Sequence, residues 1–135
     1  MAETIKLEIV TPEATVYSDN VEMVTLPAIE GQIGILPQHV RLITQLVPGE
    51  LIIRKNARDD FLAVGEGLVE VTNESVSIVT NMAVNVAEID EAKAEEARQR
   101  AAARLREKLS AEEIASTNAA LVKSLAQLNV KRRHH

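Results

Sequence analysis

The stretch Ala83-Val84-Asn85-Val86-Ala87-Glu88-Ile89-Asp90-Glu91-Ala92-Lys93-Ala94 divides the chain into two architectures. Up to Val86, apolar and polar residues interleave as in a strand. From Asp90 onward, Ala, Glu and Lys dominate, and these favour helix. Asp90 is a good N-cap, since its carboxylate accepts from first-turn amides, and Glu91 suits the positive end of the helix dipole. The rest of the chain respects the same divide. All five Gly and all four Pro lie before Leu68, whereas residues 88–135 hold 11 Ala and neither Gly nor Pro. Residues 1–87 carry 12 acids against 5 Lys/Arg, a balance of −7. Residues 88–135 carry 8 acids against 10 Lys/Arg, a balance of +2.

Upstream of the divide the pattern is that of short strands. Ile5, Leu7 and Ile9 alternate with Lys6 and Glu8, the period-2 signature of a half-buried strand. Nine further β-rich runs follow: Thr15–Ser18, Val21–Leu26, Gln32–Leu36, Arg41–Val47, Leu51–Lys55, Phe61–Val64, Leu68–Thr72, Ser75–Thr80 and Ala83–Val86. Asp19-Asn20, Pro27, Gly31, Pro37, Pro48-Gly49, residues 56–60, Gly65-Glu66-Gly67 and Asn73-Glu74 separate them as turns. About ten short strands predict a β-sandwich or flattened barrel over residues 1–87, with a Val, Ile and Leu core and enough burial to fold alone.

Downstream, Ala94, Ala97, Ala101, Leu105 and Leu109 recur on one helical face. Ser110-Ala111-Glu112-Glu113 is a capping box, so a second helix restarts there. Its apolar positions are Ile114, Leu121, Val122, Leu125 and Leu128, and Asn118 interrupts the seam. Residues 88–135 therefore read as an antiparallel two-helix hairpin. Its seam is weak. An alanine methyl contributes about 0.8 kcal/mol of burial where a leucine contributes roughly 1.5–3. The helices are favourable by propensity alone, so the pair can part without melting.

Whole-chain composition excludes several functions. The 135 residues are 46% apolar and 26% charged, with a net charge of −5, which predicts a soluble folded chain. Cysteine is absent, so disulfides, thiolate metal sites and a cysteine nucleophile are excluded. Tyr17 and Phe61 are the only aromatics. Too few rings to stack bases and the wrong overall sign of charge argue against nucleic-acid binding. No apolar run approaches 18 residues, and the first residues lack a signal-peptide pattern.

Catalytic constellations are equally scarce. His39, in the turn Gly34-Ile35-Leu36-Pro37-Gln38-His39, is the only histidine outside the terminal pair His134-His135, which takes no part in this reading. A structural or partner-contact role for His39 outweighs catalysis. No His, Asp or Glu cluster has metal-ligand spacing. Gly65-Glu66-Gly67 lacks the third glycine and following helix of a dinucleotide loop, so it is turn chemistry. Asp59-Asp60 and Glu112-Glu113 are adjacent solvated pairs, not a glycosidase pair. Arg98, Arg100, Arg104 and Arg106, with Lys108, make a dense basic stretch. It is either a solvated face balanced by Glu95, Glu96 and Glu107, or a docking face for an acidic partner.

The run Glu30-Gly31-Gln32-Ile33-Gly34-Ile35-Leu36-Pro37-Gln38-His39 resembles the signature loop of the epsilon-subunit family of F-type ATP synthases. Val47-Pro48-Gly49-Glu50-Leu51-Ile52-Ile53, residues 64–71 and Ile89-Asp90 continue the resemblance in order, over about residues 4–130. It implies a β-sandwich (residues 1–87) that contacts gamma and the c-ring, followed by a regulatory helical hairpin (residues 88–135). It implies a non-catalytic rotor subunit of the central stalk, peripheral to a bacterial plasma membrane on its cytoplasmic face, or to a plastid membrane. Such a subunit couples proton flow to ATP synthesis. Its helices lie folded, or extend toward the alpha/beta head and block ATP hydrolysis. Glu30, Gln32, Ile33, Leu36 and His39 would then be partner contacts, with Gln32 standing where several relatives carry an acid. Arg98, Arg100, Arg104 and Arg106 would face the catalytic head. Some members bind ATP as a regulatory ligand at Ile/Leu-Asp-x-x-Arg-Ala; this chain has Asp90 and, in place of the arginine, Lys93. A non-motor adaptor module is the alternative reading of the same architecture, and a small enzyme a third.

Overall fold

The computed structural model describes residues 3–39 and 41–134. Ten strands come first: β1 (Ile5–Val10), β2 (Thr15–Val21), β3 (Met23–Ala28), β4 (Gly31–Ile35), β5 (Leu42–Leu46), β6 (Gly49–Lys55), β7 (Arg58–Val64), β8 (Gly67–Val71), β9 (Ser75–Thr80) and β10 (Ala83–Asn85). A single 3-10 turn, Val86–Glu88, then leads to α1 (Glu91–Arg104) and α2 (Ala111–Arg133). All ten expected strands are present.

The strands form one rolled sheet in the order β10-β7-β6-β3-β5-β8-β9-β1-β2, with β4 on β3. Only β1 and β9 pair in parallel among the described residues; every other ladder is antiparallel. β3 is the corner: Met23 to Thr25 pair with β6, and Ala28 pairs with Leu46 of β5. Pro27 was expected to be a turn and lies within β3. It is tolerated because the strand changes partners there, so its missing N–H falls in the gap between ladders. Its carbonyl still accepts from Val47 N at 2.9 Å. Asp19-Asn20, also expected as a turn, extend β2 and pair with Leu7 and Lys6. β2 ends the sheet, and Asp19 points its carboxylate at Lys55 and at the Asn20 amide. An edge strand carries such residues without burying them.

The alternating residues close a continuous aliphatic core from Ile5, Leu7 and Ile9 through Leu26, Ile35, Leu46, Leu51 and Ile53 to Val76 and Ile78. No helical residue belongs to that cluster. Gly67 is required by close packing, because a Cβ there would stand 2.1 Å from the Val79 carbonyl oxygen. The Gly-Glu-Gly segment is thus a strand-to-strand turn, as read from the sequence.

Asp90 caps α1, accepting from Lys93 N at 3.1 Å, and Ser110 and Glu113 form the reciprocal capping box of α2. α1 is shorter than expected and ends at Arg104 rather than near Leu109. Arg106 N and Glu107 N bond the carbonyls three residues back, at 3.1 and 3.0 Å, which tightens the last turn and stops the helix. Arg106 and Lys108 therefore lie on the connection. α2 packs on both sides. Ala126 and Val130 face the sheet, joining Ala63, Met82 and Ile89 in a second cluster flanked by Phe61, Val84 and Val86. Thr117, Ser124 and Leu128 are buried on the opposite helical face, toward α1 with its buried Ala94 and Ala101. Ile114, Val122 and Leu125, expected in the seam, are exposed at 42%, 41% and 38%. Small and hydroxylic residues let the helices approach where larger ones would hold them apart.

Candidate docking surfaces and the seat of the hairpin

β3 and β4 form the hairpin that carries the signature loop. Gly31 sits at its tip with φ 123°, a conformation that favours glycine. Glu30 accepts from the Thr44 hydroxyl at 2.8 Å, which fixes a carboxylate beside β5. Gln32 is exposed, and Leu36 is 55% exposed just past β4. Ile33 is half-buried against the main core, so it supports the strand from within. Gln38, at φ 65°, turns the chain before the half-buried His39. Glu30 and Leu36 flank the two ends of β4, six residues apart, about 20 Å at ~3.3 Å per residue of extended chain. The loop is an edge with two ends rather than one spot.

A neighbouring surface was missed by periodicity. Ile43, Leu68 and Val79 are 67%, 56% and 57% exposed on β5, β8 and β9. Leu68 pairs with Val79 on one side and with Gln45 on the other, while Ile43 lies two residues along β5. Ile29, 60% exposed, donates its N–H to Gln45 O. The available signal was the run of adjacent apolar residues Leu42-Ile43, Leu68-Val69 and Ile78-Val79, because successive side chains point to opposite faces. Thr44, not Ile43, turns inward. On this outer face Gln45 and Glu70 stand directly opposite Leu68 and Ile43, so the apolar side chains are interleaved with polar ones.

The basic residues are not equivalent. Arg98 pairs with Glu95 one turn back, and Arg104 crosses to Glu113 at 3.0 Å, bridging the two helices. Arg100 and Arg106 are exposed. Arg132, on the last turn of α2, bonds Glu91 at 2.9 Å and Glu95 at 3.3 Å. These guanidinium contacts, led by Arg98, lower the Glu95 carboxyl to about 2 against the opposing effect of burial. Asp90 and Lys93 share the exposed first turn of α1, where the Asp90 carboxylate serves as the cap.

α2 meets the sheet unevenly. Its C-terminal half packs on Ala63 and Met82, whereas its N-terminal half overhangs a cleft of about 250 Å³ lined by Pro48, Gly65, Asn81, Ala119 and Val122. A second cleft of about 300 Å³ continues past Gly49, Leu125 and Asn129. His134, set aside in the sequence, anchors the helix end. Its ring stacks on Phe61 with centroids 3.7 Å apart, and Nε2 lies 2.6 Å from the Glu50 carboxylate. No group of three metal-ligating side chains is present among the described residues, and no described helix is long and apolar enough to cross a membrane.

Two family patterns match the chain in succession. Residues 4–86 match the ATP synthase Delta/Epsilon chain beta-sandwich domain, and residues 87–132 match its long alpha-helix domain. The ATP synthase epsilon chain of Chloroflexus aggregans is 44% identical over 130 residues, covering 96% of this chain and 94% of that one. That of Herpetosiphon aurantiacus is 42% identical over 126 residues, covering 93% of each. Among solved structures, a chain of the Euglena gracilis mitochondrial ATP synthase (OSCP/F1/c-ring) is similar with a TM-score of 0.77 and 26% identity, over 98% of this chain and 82% of that one. A chain from the central stalk and c-ring of the Tetrahymena thermophila enzyme shares the fold at TM-score 0.63 and 13% identity, over 98% and 97% of the two chains. With both patterns matched in order and close relatives along nearly the whole length, the chain belongs to the ATP synthase delta/epsilon chain family.

Proposed function

We propose that this chain is the epsilon-type rotor subunit of a proton-translocating ATP synthase, without catalytic activity of its own. The sandwich docks on gamma and the c-ring, and the hairpin restrains ATP hydrolysis by extending toward the alpha/beta head. The subunit is peripheral, on the membrane face that carries the catalytic head, which in a bacterium is the cytoplasmic face. One observation supports the reading: a self-contained aliphatic core is joined to a hairpin that meets it through a small separate cluster, with clefts flanking α2 on both halves. Such a hairpin leaves at low cost while the sandwich stays bound. The exposed side chains of Ile43, Leu68 and Val79, set among polar neighbours, supply apolar contact to a docking surface. The basic residues Arg100 and Arg106 suit an acidic surface on the head.

ATP hydrolysis by a matching catalytic head tests this, measured with the full chain and with a version ending at Ala87. The full chain should slow hydrolysis and the shortened one should bind without slowing it. Equal rates over a range of ATP concentrations would make the helices a structural appendage. ATP as a regulatory ligand at Asp90 and Lys93 belongs to the same reading. Calorimetric titration should give saturable heat with the parent chain and less with Lys93→Ala; no heat in either removes the ligand from the account.

A further inference from the structure

The seat of the hairpin on the sandwich is small, and one of its members is a methionine. Met82, between β9 and β10, is 8% exposed and packs with Ala63 and Ile89 against Ala126 and Val130 of α2. Gln127, the next residue of α2, donates from Nε2 to the Met82 sulfur at 3.2 Å. The backbone of Met82 is fixed on the sandwich side. Its carbonyl accepts from Gly65 N at 2.9 Å, and its N–H donates to the Thr80 hydroxyl at 3.4 Å. We propose that Met82 is an oxidation site whose conversion to the sulfoxide releases the hairpin from the sandwich.

The step is an oxygen transfer from a peroxide. The O–O bond breaks, one oxygen bonds to the sulfur, and with hydrogen peroxide the other leaves as water. The sulfur is oxidised by two electrons and the peroxide is reduced by two. An apolar thioether becomes a polar sulfoxide. The docked seat has no place for that oxygen. On one side the Gln127 amide already stands against the sulfur; elsewhere the oxygen would lie among Ala63, Ile89, Ala126 and Val130, whose side chains donate no hydrogen bond. Because the Met82 backbone is tied to Gly65 and Thr80, α2 is the part that yields. No thiol competes for the oxidant, since cysteine is absent, and the other methionines are Met1 and Met23. Burial sets the order of events: peroxide reaches the sulfur while the hairpin is off, so oxidation captures the released form and hinders its return. Its meaning for the assembled enzyme, a brake set by oxidant, rests on the proposed rotor reading. The site itself does not.

Hydrogen peroxide on the isolated full chain tests it, with the sulfoxide located by peptide mass spectrometry and docking read by hydrogen exchange of α2 amides. Met82 should oxidise more slowly than the half-buried Met23. Leu128→Ala, which frees the hairpin, should raise the Met82 rate about tenfold and leave that of Met23 unchanged. Once Met82 is oxidised, protection of the α2 amides should fall about tenfold, the effect of an unpaired polar group in an apolar seat. Amides of β1 and β9 should keep their protection. Methionine sulfoxide reductase should restore the parent behaviour. Met82→Leu should stay protected through peroxide treatment, and Met82→Gln, polar from the outset, should lose protection without it. Unchanged α2 protection in a chain sulfoxidised at Met82 would overturn the proposal, as would equal Met82 rates in the parent and in Leu128→Ala. Neither result bears on ATP hydrolysis with the version ending at Ala87, so the site and the rotor reading fail separately.

Discussion

The sandwich buries Leu7, Leu26, Leu46, Leu51, Ile53 and Ile78 completely, whereas the buried apolar side chains of the two described helices are Ala94, Ala101, Ala126, Leu128 and Val130. Both regions have regular secondary structure and strong caps. They differ in what each buried position contributes, about 0.8 kcal/mol for a methyl against roughly 1.5–3 for a large aliphatic side chain. This difference predicts that the sandwich unfolds as one cooperative unit. The hairpin relies on Leu128, on the second cluster around Ala63 and Met82, and on the polar contacts of its last turn. Its helices retain propensity when they leave, because their caps and alanines are local.

Truncating equivalent leucine-sized side chains in the two regions breaks the comparison most sharply. Ile53→Ala should cost about 2–5 kcal/mol of global stability, seen as a lower urea midpoint of Tyr17 fluorescence, a probe on β2. Leu128→Ala should leave that midpoint in place while the hairpin is released. A common shift of Tyr17 fluorescence and helical ellipticity in both variants would mean that the regions unfold as one.

Replacing Arg98, Arg100, Arg104 and Arg106 with Gln should relieve inhibition of ATP hydrolysis severalfold without preventing assembly. The pairings divide this effect. Arg100→Gln with Arg106→Gln should account for the loss of docking on the head and leave the hairpin intact, because neither is tied within it among the described contacts. Arg98→Gln with Arg104→Gln also loosens the hairpin, through Glu95 and Glu113. Identical behaviour of the two pairs would remove the distinction.

The signature loop contains the same contrast on a smaller scale. Leu36→Asp, at an exposed position, should change the stability of the isolated chain by no more than about 0.5 kcal/mol yet weaken co-assembly with gamma and the c-ring. Ile33→Asp should destabilise the chain itself by about 1–3 kcal/mol, since it sets a charge against the core. Unchanged assembly in Leu36→Asp would mean that the loop is no interface.

Acid supplies the smallest effect. Glu95 is lowered to about 2, first by its hydrogen bond to Arg98. A carboxyl depressed in the folded form supports it fully above the ordinary value of 4.5, and that support is lost as pH falls toward 2. Helical ellipticity should therefore decline over that window, and Glu95→Gln should lose part of the decline. An unchanged acid profile in the variant would assign the decline to other carboxylates.

Strand positions were legible because alternation and turn residues act within a few residues of one another, and both helix caps were legible for the same reason. Pro27 and Asp19-Asn20 were misread where sheet topology decides: a corner strand hides a missing donor, and an edge strand tolerates polar residues. The face of α2 was misread because helical spacing marks apolar residues, while the close approach of two helices selects Thr117 and Ser124. The family loop was visible in its residues, yet the outer stripe of Ile43, Leu68 and Val79 was not, since nothing local says which of two adjacent apolar residues turns outward. His134 was invisible for the strongest reason. Its partners Glu50 and Phe61 are 84 and 73 residues away in the chain.

Hydrogen exchange on the native full chain tests the separation of the two regions most directly. Amides of Leu7, Ile53 and Ile78 should exchange only through global unfolding, with a denaturant dependence matching the whole sandwich. Amides in the middle of α1 and α2 should exchange at distinctly lower free energy and together, as a unit of their own. Helix and strand amides sharing one opening free energy and one denaturant dependence would contradict the account.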